Sequence, residues 1–297
     1  MSHAHDHHPA HAGTMLVWAM LLTIGFAVVE AVVGLWAGSL ALVADAGHMV
    51  NDAGALAIAA IAGWIALRPA SHLHTYGLGR AEFLAALINS LGLMVLVIWL
   101  VVSAVDRLQT PQAVQGEAVS LTAALGLMIN IGVAWLLSRG EQNLNIRAAL
   151  LHVIGDLLGS VAALISGTVI VFTGWTPIDP LLSLAIGLLI LVSSLRLLRQ
   201  ALHGLMEGVP LHLTLEEIGR EMAGVPGVTS VHDLHVWSVA SDKIMLSAHL
   251  LVADMARWES ILEDSRILLH ERYGIEHITL QPESAVQTIN WMHKKRP

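Results

Sequence analysis

The sequence predicts an α-helical membrane protein, with six transmembrane helices followed by a small α+β domain. Hydrophobic residues make up 55% of the 297 residues and charged residues only 13%, so much of the chain must lie in a medium other than water. A bilayer core about 30 Å thick needs roughly 20 apolar residues for each helical span. Six segments of that length precede residue 202, and charged residues become frequent only after Gly208-Val209-Pro210.

The predicted spans are separated by short segments that contain arginine, glycine or proline and are too small to be domains. Arginines are concentrated after the second, fourth and sixth spans, whereas Arg107 stands alone on the opposite side. The positive-inside rule then predicts that both termini are cytoplasmic. The predicted spans are 15–36, 39–67, 83–105, 118–138, 147–174 and 178–198.

The residues after the sixth span have the composition of a soluble domain. The segment "TLEEIGREMAGVPG" predicts a helix that starts after Thr214, and "WESILEDSRILLHERYG" predicts a second, amphipathic helix. The segments "VTSVHDLHVWSV", "KIMLSAHLLVA" and "HITLQPE" are typical of strands. The order α-β-β-α-β indicates a ferredoxin-like α+β domain with helices on one face of a sheet. We therefore expect a His-rich cytoplasmic tail at 1–14, a six-helix transmembrane domain at 15–201 and a cytoplasmic α+β domain at 209–297.

Composition also excludes several functions. Cysteine is absent, so disulfides and thiolate metal ligands are ruled out, and any metal must be held by nitrogen and oxygen. The formal charge of -8, with no basic run except the terminal "KKR", disfavours nucleic acid as a partner.

The chain begins with a cluster of histidines. Two interpretations stand: a metal-binding tail, or a disordered segment that is partly an expression tag. The start has no basic region typical of a secretory signal, so we expect it to be retained. The cluster consists of His3, His5, His7, His8 and His11.

Ionisable side chains occur inside two apolar spans, where a charge is costly. The stretch "LVADAGHMVNDAGAL" in the second span places Asp45, His48 and Asp52 on one helical face, because positions three, four and seven apart share a face. The fifth span repeats the spacing with His152 and Asp156. Two His-x-x-x-Asp pairs therefore lie in two different spans.

Helical rise lets the depths of the two pairs be compared. His48 and Asp52 lie about 14 and 20 Å from the outer face, and His152 and Asp156 lie about 8 and 14 Å from the cytoplasmic face. In a core of about 30 Å, His48 is then within a few ångströms of the level of Asp156, and Asp52 within a few ångströms of that of His152. Two imidazoles and two carboxylates suit Zn²⁺, and the two negative charges neutralise the ion.

Other interpretations of these pairs are weaker. A network of interhelical hydrogen bonds would explain one pair, but it explains two matched pairs at compatible depths poorly. A structural zinc site does not require ionisable groups within the bilayer, where such groups most often mark ion or proton pathways. Because imidazole titrates near physiological pH, protons can compete with the metal, and proton-coupled exchange is the natural inference.

The remaining polar residues in the spans are less informative. Glu30, Asn89 and Asn130 lie in otherwise apolar segments, where hydrogen bonding between helices is a better explanation than transport. Asp45 shares the ligand face one turn further outward. It is a candidate to support a metal ligand or to line a vestibule.

At these residues the sequence resembles the cation diffusion facilitator family, in its zinc-transporting branch. The resemblance covers nearly the whole chain and includes "TYGLGRAEFLAALIN" after the second span, "IDPLLSLAIG" at the sixth and "VHDLHVW" in the last domain. It implies a homodimer that exchanges cytoplasmic Zn²⁺ for external protons by alternating access. It also implies that the transport-site ligands are His48, Asp52, His152 and Asp156, with a histidine at 48 matching the zinc-preferring pattern.

The resemblance further implies a zinc site in the cytoplasmic domain, formed by His232 and His249 with Glu283 as a carboxylate partner. Gln281 stands where some members have histidine, so the completeness of a binuclear site is open. The strand histidines could equally be half-buried residues without a metal. His72 and His74, in the loop after the second span, are either an entry site or solvated side chains.

The sequence thus predicts a Zn²⁺/H⁺ antiporter in a bacterial inner membrane, where the absence of a long His-rich insertion between spans four and five favours a bacterial origin. A passive divalent metal channel and a membrane metal sensor remain alternatives. A membrane metalloenzyme is disfavoured, because the chain has no His-Glu-x-x-His motif or set of histidine boxes.

Overall fold

The computed structural model describes the backbone of residues 9–138 and 144–284, and the side chains of residues 21–136, 138, 150 and 153–284. The histidines of the N-terminal cluster lie outside the described side chains. His152 does as well, although its backbone belongs to a helix.

Six long helices precede the soluble domain, in agreement with the predicted spans. Over the described residues, five are long and apolar enough to cross a bilayer, and the apolar part of the first, Leu21–Ala37, is shorter. Several helices continue beyond the predicted spans into polar sequence. Their bounds are α1 Pro9–Ala37, α2 Leu40–Ala66, α3 Ala81–Gln109, α4 Gly116–Ser138, α5 Leu144–Thr173 and α6 Ile178–Leu205.

A buried aspartate joins the helix ends at the turn between α1 and α2. Gly38 makes this turn with a φ of +70°, a left-handed conformation that glycine adopts without strain. Asp179, at the start of α6, then accepts hydrogen bonds of 2.6 Å from the Ser39 hydroxyl and from the backbone N–H of Leu40. The same carboxylate caps α2 and ties it to α6.

The described residues divide into two compact units. The first contains the chain up to Ile58 together with Ile88–Leu198, and the second contains Ala59–Leu87 together with the chain from Arg199 onward.

The soluble domain follows the predicted order α-β-β-α-β. Its elements are α7 Leu215–Ala223, β1 Val228–Ala240, β2 Lys243–Val252, α8 Trp258–Tyr273 and β3 His277–Ser284. In the sheet, the strand order is β1-β2-β3, with β1 antiparallel to β2 and β3 parallel to β2. The parallel pairing requires a crossover, which α8 provides.

Apolar residues of both helices and of the sheet form the core of this domain. Ile218 and Met222 of α7 are fully buried beside Leu246 and Leu250 of β2, and α8 contributes Ile261 and Leu269 to the same cluster. The helices therefore cover one face of the sheet, as the alternation in the strands predicts.

Within the second unit, the start of α3 contacts the turn of the β1–β2 hairpin. The Glu82 carboxylate accepts hydrogen bonds from the Ser241 backbone N–H at 3.0 Å and from the Ser241 hydroxyl at 2.6 Å. Arg80 also forms an ion pair of 2.6 Å with Glu207, just beyond α6. These contacts attach the N-terminal end of α3 to the soluble domain.

Candidate metal centres

The first ligand pair lies on α2, where one helical turn separates its members. The Nε2 atom of His48 lies 3.4 Å from Oδ2 of Asp52. Both side chains are partly accessible, with exposed fractions of 22% and 18%. The two side chains are therefore close enough for one ion to contact both.

The second pair lies on α5. Asp156 is buried, with an exposed fraction of 1%. The backbone of His152 is part of the same helix, one turn before Asp156, and its side chain lies outside the described residues.

Asp45 fixes how α2 and α5 are aligned. Its carboxylate lies directly against Gly159 of α5, at a position where a Cβ atom would overlap it, and it accepts a 3.5 Å hydrogen bond from the Ser160 hydroxyl. Close approach of this kind needs glycine. Asp45 of α2 and the residues Gly159 and Ser160 of α5 therefore lie side by side, at the same height along the two helices.

This alignment can be extended by helical turns from Asp45 towards the C-terminal end of α2. Because successive spans run in opposite directions, residue numbers rise along α2 and fall along α5. One turn beyond Asp45 and Gly159 are His48 and Asp156, and one further turn beyond are Asp52 and the backbone of His152. The four-ligand prediction requires this alignment; the assembled site stays a prediction.

The polar residues predicted to join helices give two outcomes. Asn89 accepts a 2.8 Å hydrogen bond from the Asn51 side chain, and Asn130 donates one of 3.3 Å to Ser160. Both are hydrogen bonds between helices, as predicted. For Glu30 the prediction is wrong: it is fully buried, and neither carboxylate oxygen has a hydrogen-bond partner among the described residues.

A second cluster lies on one face of the soluble sheet. His232 of β1 stands directly opposite His249 of β2, and their rings meet edge to face with centroids 5.4 Å apart. Glu283 of β3 reaches both, with its two carboxylate oxygens 3.1 Å from His232 Nε2 and 2.9 Å from His249 Nδ1. One ligand atom from each residue lies within 4.8 Å of the others, a spacing compatible with a metal ion.

Gln281 is the cross-strand partner of His249, two residues before Glu283 on β3. An amide therefore occupies this edge of the cluster where a histidine would supply a further nitrogen. The sheet brings together the three residues that the sequence nominated, and their binding of metal stays a prediction.

Asp233 is a neighbour of this cluster that the sequence did not single out. Its φ of 52° is left-handed, and the β1–β2 pairing is irregular between His232 and His235. The Asp233 carboxylate lies 3.2 Å from His235 Nε2 and 3.8 Å from His249 Nε2. The bulge thus turns an extra carboxylate towards the cluster, at a local cost in backbone strain.

The loop histidines are exposed. His74 lines a cavity of about 1010 Å³, together with Tyr76, Arg80, Glu207 and His235. His72 lies in the same exposed loop. Among the described residues, one group of three histidine and acidic side chains is spaced to hold a metal ion, and that group lies on the soluble sheet. A metal site in the loop therefore stays a prediction.

Asp179 is the main structural residue that sequence reasoning missed. Besides Ser39 and Leu40, it accepts a 3.1 Å hydrogen bond from Ser166 and lies 3.8 Å from Arg107. The signal available in the sequence was an acidic residue directly before Pro180, in the first turn of α6.

Long apolar helices that carry ionisable groups, followed by a soluble domain with clustered histidine and carboxylate side chains, are typical of a membrane cation transporter. The comparisons agree. A model of the cation efflux transmembrane domain matches residues 16–206, and a model of the cytoplasmic domain of cation efflux proteins, a dimerisation domain, matches residues 210–285. The chain belongs to the cation efflux family.

Three similar proteins illustrate the family. The chain is 42% identical over 291 residues to the zinc transporter ZitB of Escherichia coli (strain K12), covering 95% of this chain and 93% of that protein. It is 37% identical over 286 residues to the cadmium, cobalt and zinc/H⁺-K⁺ antiporter of Bacillus subtilis (strain 168), covering 94% and 92%. It is 39% identical over 285 residues to the metal cation efflux system protein CzcD of Cupriavidus metallidurans, covering 95% and 90%.

Proposed function

We propose that this chain exports Zn²⁺ from the cytoplasm in exchange for protons. The relatives bear the names of a zinc transporter, an antiporter and an efflux protein, and none is named as an enzyme. Cadmium and cobalt are further candidate cargoes, because metal affinity alone does not select among divalent ions.

The contact of Asp45 with Gly159 and Ser160 is the observation that carries this proposal. It supports a transport site formed by His48 and Asp52 of α2 with His152 and Asp156 of α5. With any other alignment of the two helices, the polar pairs would lie at different depths. A mixed nitrogen and oxygen ligand set of this kind suits Zn²⁺.

The two carboxylates of this site make it electrically neutral when the ion is bound. An empty site would leave two negative charges in a medium of low dielectric, so protons must replace the ion when it leaves. The imidazoles must also be deprotonated to bind metal, which makes zinc and protons competitors for the same side chains. Exchange follows from this competition if the site opens to one side at a time.

The wider arrangement is part of the proposal. Both termini face the cytoplasm of a bacterium, and the six helices, as a domain over 15–201, cross its inner membrane. Two copies associate as a homodimer through the cytoplasmic domain at 209–297. In that domain His232, His249 and Glu283 bind zinc and report its cytoplasmic concentration, while His72 and His74 are candidates to collect the ion at the entrance.

The test is zinc flux in proteoliposomes with an imposed pH gradient, measured with a zinc-sensitive dye and repeated with and without external K⁺. We expect acidification of the side to which zinc moves to accelerate transport. The variants His48→Ala, Asp52→Asn, His152→Ala and Asp156→Asn should each lose zinc flux by roughly 100-fold or more, since each removes a ligand.

The matched control is Asp106→Asn, which neutralises an exposed carboxylate near the outer end of α3. It should transport zinc as the unmodified protein does. Unchanged flux in Asp52→Asn and Asp156→Asn would rule out the four-ligand site.

A passive channel and a metal sensor are separated from an exchanger by the same assay. A channel would carry zinc at a rate that ignores the pH gradient. A sensor would bind zinc without net flux. Only an exchanger would move zinc against its own gradient when protons flow the other way.

A further inference from the structure

Asn51 of α2 stands directly before the predicted ligand Asp52 and bonds to the neighbouring helix α3. Its side-chain Nδ2 donates a hydrogen bond of 2.8 Å to Oδ1 of Asn89. In an apolar span an amide without a partner is costly, so each side chain favours the position that keeps the other paired. The bond therefore holds α2 against α3 beside the proposed zinc site.

The oxygen of the Asn51 amide also lies against α3. An added Cβ at Gly92 would come within 2.8 Å of Asn51 Oδ1, so only glycine leaves room for the amide there. Gly92 lies three residues after Asn89 and shares its helical face. The Asn51 amide is thus in contact with α3 at two points, one on each of its polar atoms.

Apolar packing continues along the same face of α2. An added Cβ at Gly47 would come within 2.9 Å of Leu96 Cδ1, and Ala44 belongs to one buried cluster with Leu93 of α3. Ala44, Gly47 and Asn51 are separated by three and four residues, so they share one face of the helix. Asn51 is the polar member of the face with which α2 packs on α3.

The contacts of Asn51 and Asp45 lie on different faces of α2. Asn51 contacts α3, whereas Asp45 contacts Gly159 of α5. With 3.6 residues per turn, these two faces are about 120° apart, and His48 projects between them, about 60° from each. A helix held on one face can still turn about that contact, but a helix held on two faces cannot. The rotation of α2 about its own axis is therefore fixed by both contacts.

We propose that Asn51 and Asn89, which we call the amide pair, are positioning residues of the zinc site. They set the rotation of α2 and thereby the directions in which His48 and Asp52 project, without binding the ion themselves. Because proteins select among divalent metals largely through ligand geometry, the amide pair also favours Zn²⁺ over the larger Cd²⁺. This inference rests on the proposed zinc transport and names residues on which the metal preference of that site depends.

The test measures flux against metal concentration in proteoliposomes, for zinc and for cadmium, without a pH gradient and with equal amounts of monodisperse protein. We expect Asn51→Ala and Asn89→Ala each to raise the KM for zinc about tenfold, as loss of an indirect support of a metal site does. The ratio of zinc flux to cadmium flux should fall at least roughly threefold. Since both changes remove one bond, the double variant should be no worse than the more affected single variant.

These readouts separate positioning from simple stabilisation. A variant that only folds less well would lower maximal flux and leave the KM and the metal ratio unchanged. The matched control is Ser193→Ala, which removes a hydroxyl whose 2.9 Å hydrogen bond to the Ile190 carbonyl stays within α6. Its KM for zinc and its metal ratio should equal those of the unmodified protein.

Gly92→Ala tests the amide pair without removing a polar group. The new methyl group would displace the Asn51 amide, so the KM and the metal ratio should change in the same direction as in Asn51→Ala. If the alanine variants of the amide pair do not fold, as judged by size-exclusion chromatography, Gly92→Ala decides the question.

The outcomes distinguish this inference from the proposed exchange. An unchanged KM and metal ratio in the folded variants would overturn the positioning role, as would additive effects in the double variant. Zinc flux that ignores a pH gradient would overturn the exchange and leave the role of the amide pair intact. If the unmodified protein carries no zinc at all, both proposals fail together.

Discussion

The carboxylate of Asp45 lies so close to Gly159 that the two residues fix the alignment of α2 with α5. Residues far apart in sequence thus set the alignment of the two helices that carry the predicted ligands.

Gly159→Ala is expected to disrupt this alignment, because the new methyl group would overlap the Asp45 carboxylate. A displacement of about 1 Å can lower the rate of a step that depends on exact positioning by roughly 100-fold. We expect zinc flux to fall to that extent when the predicted ligands of one helix shift relative to those of the other. Flux is measured in proteoliposomes with equal amounts of monodisperse protein.

Gly155→Ala is the matched control for that substitution. It lies one turn away on the same helix, and an added Cβ would meet none of the described atoms within 4 Å. It should transport normally and raise stability slightly, because alanine favours a helix over glycine. Equal flux in the two variants would show that the Asp45 contact does not set the alignment.

Asp179→Ala is expected to destabilise the membrane domain. The carboxylate is fully buried and accepts from Ser39, Leu40 and Ser166, so its removal leaves buried donors unpaired. Breaking a buried charged network costs about 3–5 kcal/mol, and the melting temperature in detergent should fall clearly. Asp179→Asn keeps an acceptor oxygen, so its melting temperature should fall less.

The comparison for Asp179→Ala is Asp106→Ala, which removes an exposed carboxylate from α3. Its melting temperature should match that of the unmodified protein, as for most exposed substitutions. If the two variants have the same melting temperature, the carboxylate of Asp179 does not stabilise the contacts between the helix ends.

Much of this architecture follows from sequence because the governing signals are local. Apolar length sets the helices, and His-x-x-x-Asp spacing sets which side chains share a face. The helix ends were predicted less well: α6, for example, continues from the predicted residue 198 to Leu205, since a helix does not stop where the bilayer does.

The residues that sequence missed act over long range. Ser160 and Asp45 are 115 residues apart, and Ser39 and Asp179 are 140 apart. No periodicity marks which buried polar group meets which partner, so Asp179 could not be identified as the link between helix ends. Glu30 was misjudged for the same reason, because an acid in an apolar helix has no pattern that shows whether a donor faces it.

Zinc binding to the soluble domain should depend on Glu283, whose two oxygens contact both histidines. Glu283→Gln and His249→Ala should each lower the zinc bound by the full-length protein, by about one ion per chain at most. Binding should weaken as pH falls, since protons compete with the metal for imidazole. Equilibrium dialysis with elemental analysis measures both effects.

His270→Ala, which removes an exposed histidine of α8, controls for general loss of histidine. It should bind as much zinc as the unmodified protein. Full zinc content in Glu283→Gln and His249→Ala would mean that the sheet cluster is a set of hydrogen-bonded side chains and not a metal site.

The ion pair between Arg80 and Glu207 should contribute little to stability despite its 2.6 Å distance. The two side chains are 41% and 60% exposed, so water screens the attraction. A double-mutant cycle with Arg80→Ala and Glu207→Ala should give a coupling free energy below about 1 kcal/mol. A coupling several times larger would show that the pair is shielded from solvent in the native protein.

The parallel pairing of β2 with β3 has a consequence for how the protein matures. His232 and His249 belong to a hairpin that can form early from neighbouring sequence, but Glu283 reaches them only after the crossover through α8 has packed. A nascent chain that has made the hairpin has Asp233 near His249, but it still lacks the one carboxylate that contacts both imidazoles. If this sheet binds a metal ion through all three residues, that binding reports that synthesis and folding of the last strand are complete.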